Sequence, residues 1–275
     1  MIRKILPPII VDLLKRLRAY FFDRTFDSFE EALIYTKSFG YENPLLVEFL
    51  YQKTINFRDK LYNENGFRFD TSFISTLIAF SGINYSDTIQ VVDYGGSFGY
   101  HYFIMRKILP KNIKIFWNVI ETPSICNKAE LLQTDELLFF KSIQDYNNSR
   151  STEKVDLVLL SASLQFPKNP LEVLGDLIDI DSKHMFITRT PFNIENRNII
   201  SVQTSKMQFN GPGKLNHSSS NMKIKYPIHF ISREVVESYF NGYDLIYSVE
   251  EDAGGYFHKN ANLIVMSYLY TKKIC

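Results

Sequence analysis

The chain's most chemically suggestive residues stand together at Asp93-Tyr94-Gly95-Gly96-Ser97-Phe98-Gly99-Tyr100, directly after the apolar run Ile89 to Val92. Glycines let a backbone turn tightly and approach a ligand closely, and N–H groups opening a helix form a site for polar or anionic atoms. Behind the glycines, Tyr102, Phe103, Ile104, Ile108 and Leu109 recur at helical spacing, so the order is strand, loop, helix. A second acid, Glu121, closes the run Phe116-Trp117-Asn118-Val119-Ile120 and is expected on the same sheet edge as Gly95. Its two carboxylate oxygens can accept both hydroxyls of a ribose.

Three ligands compete for such a loop. A phosphate loop requires GxxxxGK followed by Ser or Thr, whereas Gly99 precedes Tyr100 and His101, so that reading fails. The dinucleotide fingerprint GxGxxG is not met, because the glycines stand at 95, 96 and 99. An S-adenosylmethionine site needs an acid closing one strand, a glycine-rich turn, and an acid closing the next; Asp93 and Glu121 occupy those places. This cofactor is favoured. A nicotinamide-dependent Rossmann oxidoreductase is the alternative enzyme, and a non-catalytic scaffold that keeps the cofactor fold is the alternative outside catalysis.

Methyl transfer is an in-line displacement in which positioning and desolvation carry most of the catalysis. An alcohol acceptor gains from a base, whereas an ionised phosphate or phosphoramidate oxygen needs a cation to position it. Of the five histidines, His217 and His229 lie in or just after a long polar stretch and are the favoured bases. His101 is expected to line the pocket or cap the helix after the glycine turn, and His184 and His258 to be peripheral. Arg189 suits an anionic acceptor, since a planar guanidinium matches phosphate or carboxylate, or else makes a structural ion pair. Tyr102 and Tyr226 are aromatic pocket candidates; Arg58-Asp59 either closes over the pocket or pairs internally.

Several elements must bring these residues together. The 275 residues carry 31 Lys and Arg against 30 Asp and Glu, a net charge of +1 that provides no bulk field for nucleic acid. Cys126 and Cys275 form neither a disulfide framework nor a metal pattern, so no metal and a reducing, cytoplasmic setting are expected. No apolar run reaches the roughly 20 residues of a membrane span. Ile9, Ile10, Leu13, Leu14, Leu17 and Phe21 share one helical face, with Lys15, Arg16 and Arg18 elsewhere. Residues 1–22 therefore form a basic amphipathic helix that packs on its own domain or makes a peripheral membrane contact. Helices are also expected from the capping residues Asp27-Ser28-Phe29-Glu30, over 44–64 and over 71–81, giving a helical N-terminal cap over 1–85.

Residues 86–275 then alternate strand and helix. Strands are expected at Ile89–Asp93, Ile115–Ile120, Leu137–Phe140, Val155–Leu160 and Met185–Thr188, with helices near 99–109, 123–133 and 170–179. This pattern gives an α/β, mostly parallel sheet with ligands at the carboxyl ends of its strands. Residues 190–230, rich in Asn, Ser, Gln and Gly, read as a long substrate loop. A helix capped by Ser232 follows, then a C-terminal antiparallel hairpin of Tyr243–Val249 and Leu263–Tyr270, joined through Gly254-Gly255.

As an ordered set, several motifs make the chain resemble the class I methyltransferases found among surface-polysaccharide (capsule and O-antigen) genes. They are Phe29-Glu30-Glu31-Ala32, Gly40-Tyr41, Phe57-Arg58-Asp59, the loop Val92 to Gly99 with Tyr102, Trp117 to Glu121, Asp156 to Gln165, Arg189-Thr190-Pro191-Phe192, Val202-Gln203 and Tyr226-Pro227. The resemblance covers most of the chain and implies a Rossmann-like class I sheet that binds S-adenosylmethionine. Carried over, Gly95, Gly96, Ser97 and Gly99 line the methionine portion, and Asp93 meets its amino group or holds the loop. Glu121 takes the ribose, Ser142 and Ile143 cradle adenine, with Asp145 either a further adenine contact or an exposed loop acid. Ser161, Ala162 and Leu164 lie beside the sulfonium. The implied acceptor is an oxygen of a surface-glycan precursor, a small-molecule or sugar-nucleotide substrate or a phosphate-type modification. One departure stands out: many relatives carry an acid immediately before the strand-five arginine, where this chain has Thr188.

Overall fold

Apolar runs that bury both faces belong in the middle of a parallel sheet, and the strand Leu157–Ser161 has all five of its residues buried. The structure is a computed structural model that describes residues 7, 9, 10, 13, 24–37, 40–63, 88–149, 154–251, 256 and 258–273. Most of the basic N-terminal helix, the helix expected over 71–81 and Gly254-Gly255 lie outside the described residues.

In chain order the described elements are α1 (Phe29–Thr36), α2 (Pro44–Asn63), β1 (Thr88–Tyr94), α3 (Tyr100–Ile108), β2 (Lys114–Ile120), α4 (Pro123–Ala129), β3 (Leu137–Phe140) and α5 (Ile143–Ser149). They continue with β4 (Leu157–Ser161), α6 (Pro170–Ile178), β5 (His184–Asn193), β6 (Ile199–Lys206), β7 (Lys223–Ser232), α7 (Arg233–Ser238), β8 (Tyr243–Glu251) and β9 (Leu263–Lys272). Capping follows the sequence. Ser28 accepts from the Glu31 N–H at 3.1 Å while the Glu31 carboxylate accepts from the Asp27 N–H, and Ser232 caps α7. No described helix is long and apolar enough to cross a membrane.

Strands β3, β2, β1, β4 and β5 lie side by side and parallel, so β1 sits between β2 and β4. The order reverses there, which opens a crevice at the carboxyl ends of β1 and β4. At β5 the sheet forks. Strand β9 runs antiparallel along β5 from His184↔Thr271 to Asn193↔Leu263, with β8 antiparallel beyond it. Strand β7 joins only the end of β5, at Phe192↔Ile231 and Asn193↔Ser232, and carries β6 antiparallel. The fold is thus the mostly parallel, Rossmann-like sheet with a C-terminal antiparallel pair.

One face of the sheet buries Trp117, Leu159 and Phe186 against α2 and α3, and the other buries Val158, Leu160 and Met185 with Leu174 and Leu177 of α6. A third cluster joins Leu46, Phe49 and Leu50 of α2 to Phe98, Ile125, Met207 and Tyr226. Each such side chain contributes about 1.5–3 kcal/mol by leaving water. This third cluster seats α2 over the crevice.

Two expectations need correction. The stretch 190–230 is not one long loop: β5 continues to Asn193, and β6 and β7 occupy much of the remainder. Along β7, Lys223 to Tyr226 alternate exposed and buried and every residue from Tyr226 to Ser232 is buried, a strand that the surrounding polar composition obscures. Asp145 stands in the first turn of α5 rather than in a loop; its N–H donates to Ser142 Oγ at 3.0 Å.

Candidate functional site

Where β1 ends, Gly95 turns with φ of 71° and its N–H donates to the Ile120 carbonyl at 2.9 Å. A Cβ there would collide with Ser163, and one at Gly96 would collide with the Asp93 carboxylate. Both positions therefore demand glycine. Gly99, at φ of 72°, opens α3 without a side-chain cap. Asp93 is fully buried below the loop, with Oδ2 accepting from Trp117 Nε1 at 3.0 Å and standing 3.4 Å from His101 Nδ1. Its carboxylate lies against Gly96 from beneath the loop and is not a cavity wall.

Glu121 follows β2 and reaches both turns: Oε1 accepts from the Ser97 N–H at 2.9 Å and Oε2 from the Thr122 N–H at 2.8 Å. Burial pushes its carboxyl up to about 7; the two N–H donors pull against that shift, and the Asp93 and Glu42 charges add to it. Beyond it, Ser142 lies between β3 and α5 and Ile143 opens α5, with Ser161 ending β4 and Ala162 just after it.

These side chains border one cavity of about 1370 Å³. Its walls include Gly95, Ser97, Glu121, Ser142, Ile143, Ser161, Ala162 and Arg189, and across from the sheet edge Tyr41, Lys53, Gln208 to Asn216 and Tyr226. Three walls are strained. Ser97, Ala162 and Arg189 have φ of 52°, 56° and 55°, a region that costs about 1–3 kcal/mol for non-glycine residues and gathers at functional sites. The Oγ atoms of Ser97 and Ser163 and the Oγ1 of Thr122 are buried without a protein partner, and all three residues line the cavity. Buried hydroxyls left this way favour a polar ligand that completes them.

Arg189 lies at a bulge in β5 where the pairing with β9 slips. Its Nε and Nη2 donate to Ser161 Oγ at 3.2 and 2.9 Å, and Nη2 also donates to the Tyr100 hydroxyl at 3.0 Å. Glu251, at the end of β8, accepts from Thr188 Oγ1 at 2.9 Å, from the Arg189 N–H at 3.3 Å and from Ser267 Oγ. A carboxylate thus stands beside position 188 although the chain itself has threonine there.

Over the cavity, Tyr41, Phe166 and Tyr226 form a ring cluster with centroids 5.0–5.3 Å apart. The Tyr226 hydroxyl donates to Ser205 Oγ at 3.1 Å, and burial pushes its phenol up, so it stays protonated. Lys53 of α2 is 1% exposed, and Nζ donates to the carbonyls of Gln208, Asn210 and Gly211 at 2.8, 2.6 and 3.1 Å. Burial pulls the ammonium down to about 8. The contact ties the β6–β7 connection to α2. Sequence reasoning missed Lys53, although a lysine on the Leu46, Phe49, Leu50, Phe57 stripe was a readable signal; Thr122 and Ser163 carried none.

The favoured histidines stand elsewhere. His217 caps a short 3-10 turn, its Nδ1 accepting from the Ser219 N–H at 3.2 Å. His229 stacks on Phe29 at 5.6 Å and borders a smaller cavity with Phe26 and Pro170; burial pushes it down to about 4. Neither lines the main cavity, because β7 directs His229 toward α1 and the 3-10 turn keeps His217 at the surface. Tyr102 turns away as well, donating to Glu136 Oε2 at 2.9 Å. Gly96 and Gly99 shape the turn without being walls. His184 and His258 bond to Thr271 and to the Arg24 carbonyl, and Arg58 pairs with Asp59 at 2.8 Å. His101 is the one histidine in the wall. Among the described residues no three His, Cys, Asp or Glu side chains gather around a metal position.

No family model and no curated protein matches the chain. Among solved structures, the N-terminal domain of EvdMO1 in the presence of S-adenosylhomocysteine and D-fucose is 12% identical, covers 81% of this chain and 97% of its own, and has a TM-score of 0.44. An S-adenosylmethionine-dependent methyltransferase from Clostridium acetobutylicum is 11% identical over 82% of this chain and 99% of its own, with a TM-score of 0.45. The glycopeptide N-methyltransferase MtfA is 11% identical over 75% and 92%, with a TM-score of 0.44.

Proposed function

We propose that the chain is an S-adenosylmethionine-dependent methyltransferase that methylates an oxygen of a surface-glycan precursor, a nucleotide-linked sugar or a phosphate-type modification. The observation that carries the cofactor is Glu121, whose carboxylate stands in the cavity wall beside the Gly95 turn and is held by the Ser97 and Thr122 N–H groups. A ribose diol donates two hydrogen bonds, and a carboxylate with remaining lone pairs accepts them. Ser97, Thr122 and Ser163 add hydroxyls without protein partners, and the bare glycine turn lets a ligand approach the backbone. The residues fit the cofactor. Bound there, it supplies a methyl group on a positively charged sulfur.

This chain's residues divide the remaining work. Glu121 orients the ribose, Ser142 and Ile143 border adenine, Gly95 and Ser97 the methionine portion, and Ser161 and Ala162 the floor towards the acceptor. Arg189 and Tyr226 face the acceptor half, where guanidinium and aromatic surface suit an anionic or sugar-bearing molecule. Calorimetry tests the cofactor: S-adenosylhomocysteine is expected to bind in the micromolar range and Glu121→Ala to weaken it at least tenfold. No binding to the native chain overturns the reading. Radiolabelled methyl transfer to sugar nucleotides and phosphorylated sugars tests the acceptor, and label found only on amines would replace oxygen by nitrogen.

A further inference from the structure

We propose that His101, oriented by Asp93, is the base that takes the acceptor's proton. The inference rests on the methyltransferase reading. His101 is buried, lines the cavity and follows the glycine turn that lies over the Asp93 carboxylate. Asp93 is held in place by the Trp117 indole N–H, so the carboxylate is aimed before any ligand arrives. Its Oδ2 stands 3.4 Å from His101 Nδ1, a separation typical of catalytic contacts that tighten only in the complex.

A carboxylate at Nδ1 favours the neutral tautomer with the proton on that nitrogen, and leaves Nε2 bare at the opposite corner of the ring. Asp93 is therefore a positioning residue, and it also stabilises the imidazolium once the proton arrives. The acceptor oxygen bonds to the methyl carbon as the carbon–sulfur bond breaks, with that electron pair staying on sulfur, and the hydroxyl proton passes to Nε2. Charge balances: the sulfonium's positive charge ends on His101 and then leaves to water.

Tyr100 links the base to the cation. Its ring lies 3.9 Å from the His101 ring, and its hydroxyl accepts from Arg189 Nη2 at 3.0 Å. Base and guanidinium thus flank one side chain in the wall, so an acceptor whose anionic group meets Arg189 brings a nearby hydroxyl towards His101. The same arrangement gives His217 and His229 no part in the proton transfer.

The test reads the ring itself. Nitrogen-15 NMR of the full chain labelled at histidine, with the resonance assigned by His101→Gln, is expected to show the neutral ring protonated at Nδ1 and bare at Nε2. Asp93→Asn is expected to shift it towards the opposite tautomer; if that variant does not fold, the native spectrum decides. A native ring protonated at Nε2 overturns the proposal. Calorimetry with S-adenosylhomocysteine on the same sample separates the two readings. Binding alongside an Nε2-protonated ring removes the base alone, whereas no binding removes the methyltransferase reading and the base with it.

Discussion

At the scale of the residue, Glu121 illustrates how a fold prepares a site by disfavouring its own charge. Burial raises its carboxyl from the ordinary 4.5 to about 7, so between those values the folded chain keeps a proton that the unfolded chain has lost. Stability contributed by this group is present at low pH and falls as pH rises through that window. Ribose hydroxyls prefer the ionised acceptor, so S-adenosylhomocysteine affinity should rise with pH up to about 7, by at most about tenfold per unit. Glu121→Gln should flatten that profile in calorimetric titrations from pH 5 to 8. Gly95→Ala places a Cβ against Ser163 at a positive φ, and should cost about 1–3 kcal/mol in denaturant unfolding while abolishing cofactor binding. His217→Ala, at the surface, should change that affinity less than twofold. The acids and glycines were legible because they follow apolar runs directly; the placement of His217 and His229 was not, because loop composition says nothing about direction.

At the scale of the element, α2 and the β6–β7 connection hold each other. Lys53 gives three hydrogen bonds to one stretch of backbone, Asn56 donates to the Lys214 carbonyl, and a Cβ at Gly211 would press on Leu50. Lys53→Met keeps the apolar stem and leaves three carbonyls without their donor, at roughly 1–3 kcal/mol for each group left unsatisfied. Hydrogen exchange over 207–216 should accelerate at least tenfold, while β1, β4 and β5 keep their protection. Helix positions were readable from caps and periodicity. Strands β6 and β7 were not, since Asn, Ser and Gln dominate the stretch between them, and their pairing joins residues up to 31 apart, from Ile199 to Phe230.

For the whole molecule, the two cores share one sheet, so damage to either face should unfold both. Phe186 is fully buried beside Leu159, and Phe186→Ala should cost about 3–5 kcal/mol in a single transition followed by circular dichroism and tryptophan fluorescence together. Local sequence alone determined the strand–turn–helix at Asp93 to Ile108, the acid at the end of β2, the parallel order implied by alternation, and the closing antiparallel pair. Each depends on neighbours a few residues apart, where pattern and covalent geometry are enough. Tertiary structure decided what faces the cavity: that Lys53 roofs it, that Glu251 stands beside Thr188, and that His217 and His229 stay out of a wall in which His101, already expected beside the glycine turn, stands. Those choices turn on strand register and helix docking over tens to hundreds of residues, and a one-residue slip in register reverses every side chain on the strand.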